Sequence, residues 1–297
     1  AYSTVDGKNY GVPFDNGAVI GAYRTDILEQ AGYTTADLTD IDWNRFIEIG
    51  KDVKAKTGTY MLSGQADSPD TIMMMLQSAG ASLFDEDGKP AMTDNAALKE
   101  CIDIYKTMVD EGIYLEVNKW DDYVTSITKG SVAGVINGNW IIATIQGMED
   151  TAGKWEITNM PKLIKTPNAT NYSNNGGSSW YITSNCKNKD LAIDFLKSTF
   201  AGSVELYDKI LASTGAIATY LPAGESEKYA EPVAYWSDQP IYKTIVDYSK
   251  LTPANNTSPY YYDGRNAIGT QIQNIMNGAD TDSAIADAQA EVEFSMQ

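Results

Sequence analysis

The 297-residue chain contains no histidine. That absence excludes Ser-His-Asp and Cys-His catalysis and the commonest zinc sites. Thiols are scarce as well: Cys101 and Cys186 stand far apart in sequence and form no CxxC arrangement. Cys101 falls on the apolar stripe of a predicted helix, where it reads as a small buried hydrophobe. No run of about 18 apolar residues occurs, so no segment is expected to span or insert directly into a membrane. A basic start followed by an apolar stretch is also missing, so no signal peptide is read in this chain. Positive charge is in deficit, with 22 Lys and Arg against 40 Asp and Glu and a formal net charge of -18. Such a surface repels phosphate backbones and anionic lipid, and it gains nothing from counterion release. Nucleic acid is therefore not an expected partner, and no metal or other cofactor is expected either.

What is present is enough to build real cores: 43% of residues are hydrophobic and only 21% charged. Strand and helix patterns alternate along the chain, which predicts an α/β fold. "NYGVPF" reads as a strand, followed by a short amphipathic helix in "YRTDILEQAG" closed by Gly32. Trp43, Phe46, Ile47, Gly50 and Val53 recur at helical spacing up to a Gly58 stop, so Trp43 is expected in the core. Ser68-Pro69 predicts a capped helix start, and Met73-Met74-Met75 behind it reads as adaptable core packing. "DEDGK" at Asp85 to Lys89 lacks the remaining ligands of a calcium loop and reads as an Asp-Gly turn between short strands. A long helix is predicted from Thr93 to Gly112, another in "WDDYVTSITKG" and a further one from Trp140 onward. The polar stretch from Lys165 to Gly177 has no periodicity and reads as a loop or a crossing; crossings are placed near residues 14 and 177.

The aromatic balance is lopsided, with 19 Tyr and 6 Trp against 6 Phe. Tyr and Trp offer an apolar face with a hydrogen-bonding tip, which suits pyranose rings as well as an ordinary Tyr-rich surface. Three of these aromatics sit at element ends, where ligand clefts of α/β proteins lie. Trp140 follows Asn137-Gly138-Asn139, with Asn139 placed to cap the next helix; a core anchor and a ligand platform would both use a tryptophan there. Trp180 follows Gly176-Gly177-Ser178-Ser179, and Tyr260-Tyr261-Tyr262 opens a helix after Pro259. Carboxylates also gather near turns: Asp15 beside Asn16, then Asp67 and Asp70 around Ser68. Asp15 and Asp67 could form the carboxyl pair of a glycosidase, accept hydrogen bonds from a polyol, or serve only their turns.

The order of these pieces resembles the extracellular solute-binding proteins of ABC transporters, in particular their carbohydrate-binding, maltose-binding-protein-like group. The resemblance rests on "KNYGVPFDNGAVIGAYRTDILEQAG", "KGSVAGVINGNWIIATI", "NNGGSSWYITSNCKNKDLAIDFL" and "YYYDGRNAIGTQIQNIMNGADTDSAIADAQAEV", four segments in family order along essentially the whole chain. It implies a type II periplasmic-binding-protein-like fold of two lobes. Residues 1–14 and 182–222 would be the remaining parts of the first lobe, and 15–181 and 223–297 a nearly complete second lobe. Most of the family's N-terminal lobe, with its signal or lipidation region, would precede the point where this chain starts, leaving apolar surface uncovered. The resemblance implies Trp140, Trp180 and Tyr261 as stacking platforms and Asp15, Asn16, Asp67 and Ser178 as hydroxyl ligands. Tyr262 and Arg265 would line the cleft. The implied function is extracytoplasmic capture of an oligosaccharide or other small polar solute for the membrane permease of an ABC transporter. A glycoside hydrolase and a ligand-free cell-surface domain are the alternatives.

Overall fold

The computed structural model describes residues 3–5 and 7–297; Ala1, Tyr2 and Asp6, placed above in a first lobe, lie outside the described residues. A hairpin of β1 (Thr4–Val5) and β2 (Lys8–Asn9) leads into the long strand β3 (Gly11–Arg24) and then α1 (Thr25–Ala31) and α2 (Trp43–Thr57). Next come β4 (Leu62–Gln65), α3 (Asp70–Ser78), α4 (Ala96–Asp110), β5 (Tyr114–Val117), α5 (Trp120–Thr128) and β6 (Gly134–Gly138). The middle of the chain holds α6 (Ile142–Gln146), β7 (Trp155–Thr158), β8 (Asn174–Tyr181), α7 (Lys189–Ser198) and α8 (Val204–Thr214). Two short helices, α9 (Leu221–Gly224) and α10 (Glu227–Ala230), precede α11 (Ile241–Leu251), α12 (Tyr261–Met276) and α13 (Thr281–Ser295).

β3 organises the molecule. Its C-terminal half pairs antiparallel with β6 on one side and β7 on the other, while its N-terminal half pairs with β8. β6 also runs parallel to the segment entering β4, with Ala133 N–H donating to the Tyr60 carbonyl and Gly134 N–H to that of Met61. β4 pairs parallel with β5, so the strands lie in the order β5-β4-β6-β3-β7. The near-continuous apolar run from Ala18 to Tyr23 is what a strand covered on both faces requires. Alternation sorts it: Val19 and Tyr23 enter one core, Ala18, Ile20 and Ala22 the other. The first core is completed by α1 to α4, α12 and α13; the second by α5, α6, α8 and α11, with Trp155 and Trp236 between them. The result is helices on both faces of a mixed sheet.

Most elements follow their sequence signals. Gly32 and Gly58 close their helices in the left-handed region, and Asp85 folds its own turn by accepting the Asp87 and Lys89 N–H groups. Cys101 and the methionines of α3 are buried in the first core. Three readings need correction. The first strand does not stop at Phe14; burial on both faces carries it through the crossing to Arg24. Ser68 does not cap α3, because its hydroxyl instead accepts from Arg265. The polar stretch from Lys165 becomes strand at Asn174, where β3 supplies a partner.

Two regions bear on the lobes. The crossings near residues 14 and 177 meet, Asp15 opposite Ser178 and Asn16 opposite Gly177, and Ala218 returns beside Asp15. Beyond β8, α7 buries none of its residues; Leu191 is 70% exposed and Phe195 58%.

A buried carboxylate fixes the loop that leads toward β8. Glu100 accepts the N–H groups of Ile164 and Lys165 and the Thr166 hydroxyl. Burial alone would push its carboxyl up, but those donors outweigh it and hold the group below the usual glutamate range. A depressed folded-state value stabilises the protein above the unfolded glutamate range, and that stability is lost as pH falls through the folded value. Glu100→Gln should therefore lower the melting temperature at neutral pH and flatten its acid dependence. An unchanged acid limb in thermal melts from neutral to acidic pH would show that the clamp contributes nothing.

Candidate binding site

Parallel strands deliver their C-terminal ends to one edge of a sheet, and that edge is where α/β proteins bind ligands. Here β4, β5 and β6 end together, each followed at once by a helical start. β4 contributes Ser63 and Gln65, and the turn after it brings Ser68, Asp70 and Thr71. α5 opens with Trp120, and β6 carries Asn137 as its penultimate residue, just before a single 3-10 turn, Asn139–Ile141, that holds Trp140. Tyr114, Met74 and Ile136 form the apolar floor of the resulting depression. Gly64 is required there, because a Cβ would fall 1.9 Å from the Tyr114 hydroxyl.

Trp120 and Trp140 form the rim. Their ring centroids are 5.7 Å apart at 43°, and the side chains remain 43% and 40% exposed. A core anchor does not stay that open, so the structure answers the question posed at Trp140: it stands at the edge of a depression. Its indole N–H donates to the Asn175 carbonyl at 2.8 Å. The opposite wall is polar. Arg265, from the second turn of α12, donates to Asp70 at 2.5 Å and to Ser68 at 3.2 Å. Burial pushes the Tyr123 phenol up to about 12, against a smaller lowering by the Asn137 amide, so it stays neutral at physiological pH. A flat pair of aromatic faces beside a carboxylate, a guanidinium and several hydroxyl and amide groups can stack an apolar ring face while hydrogen-bonding its polar edge.

The structure brings some sequence-nominated residues to this place and not others. Trp140 and Arg265 adjoin it, Trp140 through the Trp120 ring and Arg265 through its bonds to Ser68 and Asp70. Asn16 adjoins it: its Oδ1 accepts from Asn139, so Asn139 does not cap a helix as its position suggested. Asp15 and Ser178 face each other at the crossing, where Asp15 Oδ1 is buried without a hydrogen-bond partner. Tyr261 lies one turn before Arg265 and packs on the first core, with Tyr262 edge-on to it and largely exposed. Asp67 is exposed in its turn and stands outside the depression, which Ser68 and Asp70 line instead. Trp180 packs on Phe14 at 5.7 Å and Phe200 at 5.2 Å, an aromatic cluster apart from the Trp120–Trp140 pair. Asp15 and Asp67 therefore do not share a wall of the depression, and the carboxylate that lines it is Asp70. Sequence reasoning missed Trp120, Asp70, Gln65 and Asn137 as site residues. The element-end rule applied to Trp140 would have found Trp120, which opens a helix just past a strand.

Among the described residues, no group of three or more Cys, Asp or Glu stands together as a metal site, and no helix is long and apolar enough to cross a membrane. A family model described as bacterial extracellular solute-binding protein matches residues 1–238. The lactose-binding protein of Rhizobium radiobacter is 38% identical over 282 residues, covering 95% of this chain and 67% of its own length, so the chain spans about two thirds of that relative. Among solved structures, an extracellular solute-binding protein of family 1 superimposes with a TM-score of 0.82 at 19% identity, over 99% of this chain and 75% of its own. The galacto-N-biose-/lacto-N-biose I-binding protein of the ABC transporter from Bifidobacterium longum, solved with lacto-N-biose, gives 0.80 at 22% identity, over 99% and 72%. The shared fold is the type II periplasmic-binding-protein fold.

Proposed function

We propose that this chain, which belongs to the bacterial extracellular solute-binding proteins, captures a sugar outside the cytoplasm for the permease of an ABC importer. The observation that carries the reading is the exposed Trp120–Trp140 pair, whose Trp120 lines one depression with Asp70, the ion-pair partner of Arg265. A pyranose would lay its C–H face on the indoles while Asp70, Arg265, Ser68 and Gln65 take its hydroxyls. Asp15, Asn16 and Ser178 at the crossing, and Tyr261 ahead of Arg265, would extend the contacts to a further ring. The name of the 38% identical relative makes lactose the first ligand to try. Chemistry on the sugar is not part of the proposal: the relative is named as a binding protein, and Asp70 is tied up by Arg265.

The lobe division belongs to the same reading, with residues 1–14 and 182–222 in the first lobe and 15–181 and 223–297 in the second. Support comes from the three strand segments meeting at Asp15 and from α7, which buries none of its residues, whereas α8, Ile217 and Ala218 of the same range enter the second core and lend the division no support. Closure of two lobes would complete the contacts and exclude water.

Tryptophan-fluorescence titration with lactose, lacto-N-biose and maltotriose tests the function, with the incubated sugars then run on a chromatograph. We expect a saturable shift with at least one sugar and no shorter products. Flat traces for all three, with no rise in melting temperature, would overturn the sugar reading; cleaved products would replace a carrier with a hydrolase.

A further inference from the structure

Trp120 and Trp140 come from different elements and are both open to solvent, yet something must fix their mutual geometry, because a rim side chain has little packing to hold it. Trp140 is held by one direct bond, from its indole N–H to the Asn175 carbonyl at 2.8 Å. The same residue's side-chain amide donates to Asn137 Oδ1 at 2.9 Å. Asn137 in turn donates to the Tyr123 hydroxyl at 3.0 Å, and the Tyr123 ring packs on Trp120 at 5.3 Å. Both indoles are therefore traced to one residue by separate routes. Asn137 and Tyr123 are buried, and Asn137 Oδ1 also accepts the Gly138 N–H at 2.8 Å, so without the Asn175 amide it stays paired and loses only a bond that fixes its orientation. The backbone around it is cleared for the purpose: a Cβ on Gly138 would lie 2.2 Å from the Asn175 carbonyl oxygen and 2.4 Å from Trp140 Nε1.

We infer that Asn175 is a positioning residue that sets the separation and tilt of the two rim tryptophans. It sits on the crossing strand β8, between Asn174, which pairs with Ala18, and Gly177, which pairs with Asn16 across a register irregularity. Asn174 also accepts the Gly17 N–H. Any bend of the crossing consequently moves the Asn175 carbonyl and amide together, and with them the aperture between the indoles. The consequence for sugar affinity rests on the binding reading above; the ring geometry does not.

Two indoles this close and tilted couple their electronic transitions, giving a far-ultraviolet circular-dichroism couplet in the ligand-free protein. Trp120→Phe and Trp140→Phe should each abolish it, which assigns the signal. Asn175→Ala keeps the backbone carbonyl but removes the link to Asn137; we expect the couplet to lose most of its amplitude while the melting temperature holds. If sugar binds, its dissociation constant should rise about tenfold in the variant. Tyr123→Phe, which keeps the ring and deletes the hydroxyl acceptor, should reproduce the loss and serves if Asn175→Ala does not fold. An intact couplet in the folded variants would overturn the inference. So would a couplet that falls only in step with a drop in melting temperature, since that marks a merely structural role. Because the couplet is read without sugar, failure of the binding reading leaves this result standing.

Discussion

Trp140→Ala is expected to weaken sugar binding by about thirtyfold or more, the effect of deleting an aromatic anchor worth about 2 kcal/mol. Two losses combine: the stacking face itself, and the partner that holds the Trp120 ring at 43°. Stability should change by no more than about 1 kcal/mol, because a side chain 40% exposed leaves no cavity behind. Its one polar bond goes to the Asn175 carbonyl, which solvent can satisfy once the indole is gone. Titration of the variant beside a thermal melt checks both halves. A large fall in melting temperature with binding retained would return Trp140 to the core and remove the basis of the site.

Trp43→Ala is expected to do the reverse. Trp43 opens α2 fully buried, with its ring 5.2 Å from Phe46 and edge-on to it. Truncating a buried tryptophan costs about 3–5 kcal/mol, a large share of the roughly 5–15 kcal/mol that holds a typical domain together. The melting temperature should fall by an amount on the order of 10 °C. Trp43→Phe is a finer test. The Trp43 indole N–H is buried without a partner, so phenylalanine forfeits volume but no hydrogen bond and should cost clearly less than alanine. Equal losses in the two variants, or a negligible loss in Trp43→Ala, would contradict the packing described. The pair Trp43 and Trp140 thus separates the two uses of tryptophan in one chain by opposite readouts.

The difference between these two residues was partly legible beforehand. Trp43 shares a helical stripe with Phe46, and periodicity of that kind speaks directly of burial. Trp140 and Trp180 both follow small-residue turns, and long-range packing distinguishes them: Phe14 and Phe200, distant in sequence, close on Trp180, whereas the ring beside Trp140 is that of Trp120. Turn geometry hid the polar side of the depression in the same way. Asp67, Ser68 and Asp70 look alike in sequence, and which of them points inward depends on where α3 starts and on Arg265, which arrives from a helix near the C-terminus. In the sequence Asp70 is one of several carboxylates near a turn, because the partner that sets it apart lies 195 residues away. The long central strand was underestimated for a related reason. "FDNGAV" contains turn formers, and pairing with β8, and with β6 at Val19, keeps them extended.

That strand has a consequence for how the protein is made. β3 leaves the ribosome well ahead of its partners, which are Gly134–Gly138, Trp155–Thr158 and Asn174–Tyr181. At about 5–20 residues per second of synthesis, it waits on the order of ten seconds with no sheet to join. Throughout that interval the run from Ala18 to Tyr23 is an unpaired apolar edge, the kind of segment that aggregates or is taken up by a holding chaperone. Neither core can close before its shared strand is paired, so folding of the two halves is tied to one late event rather than proceeding from the N-terminus onward.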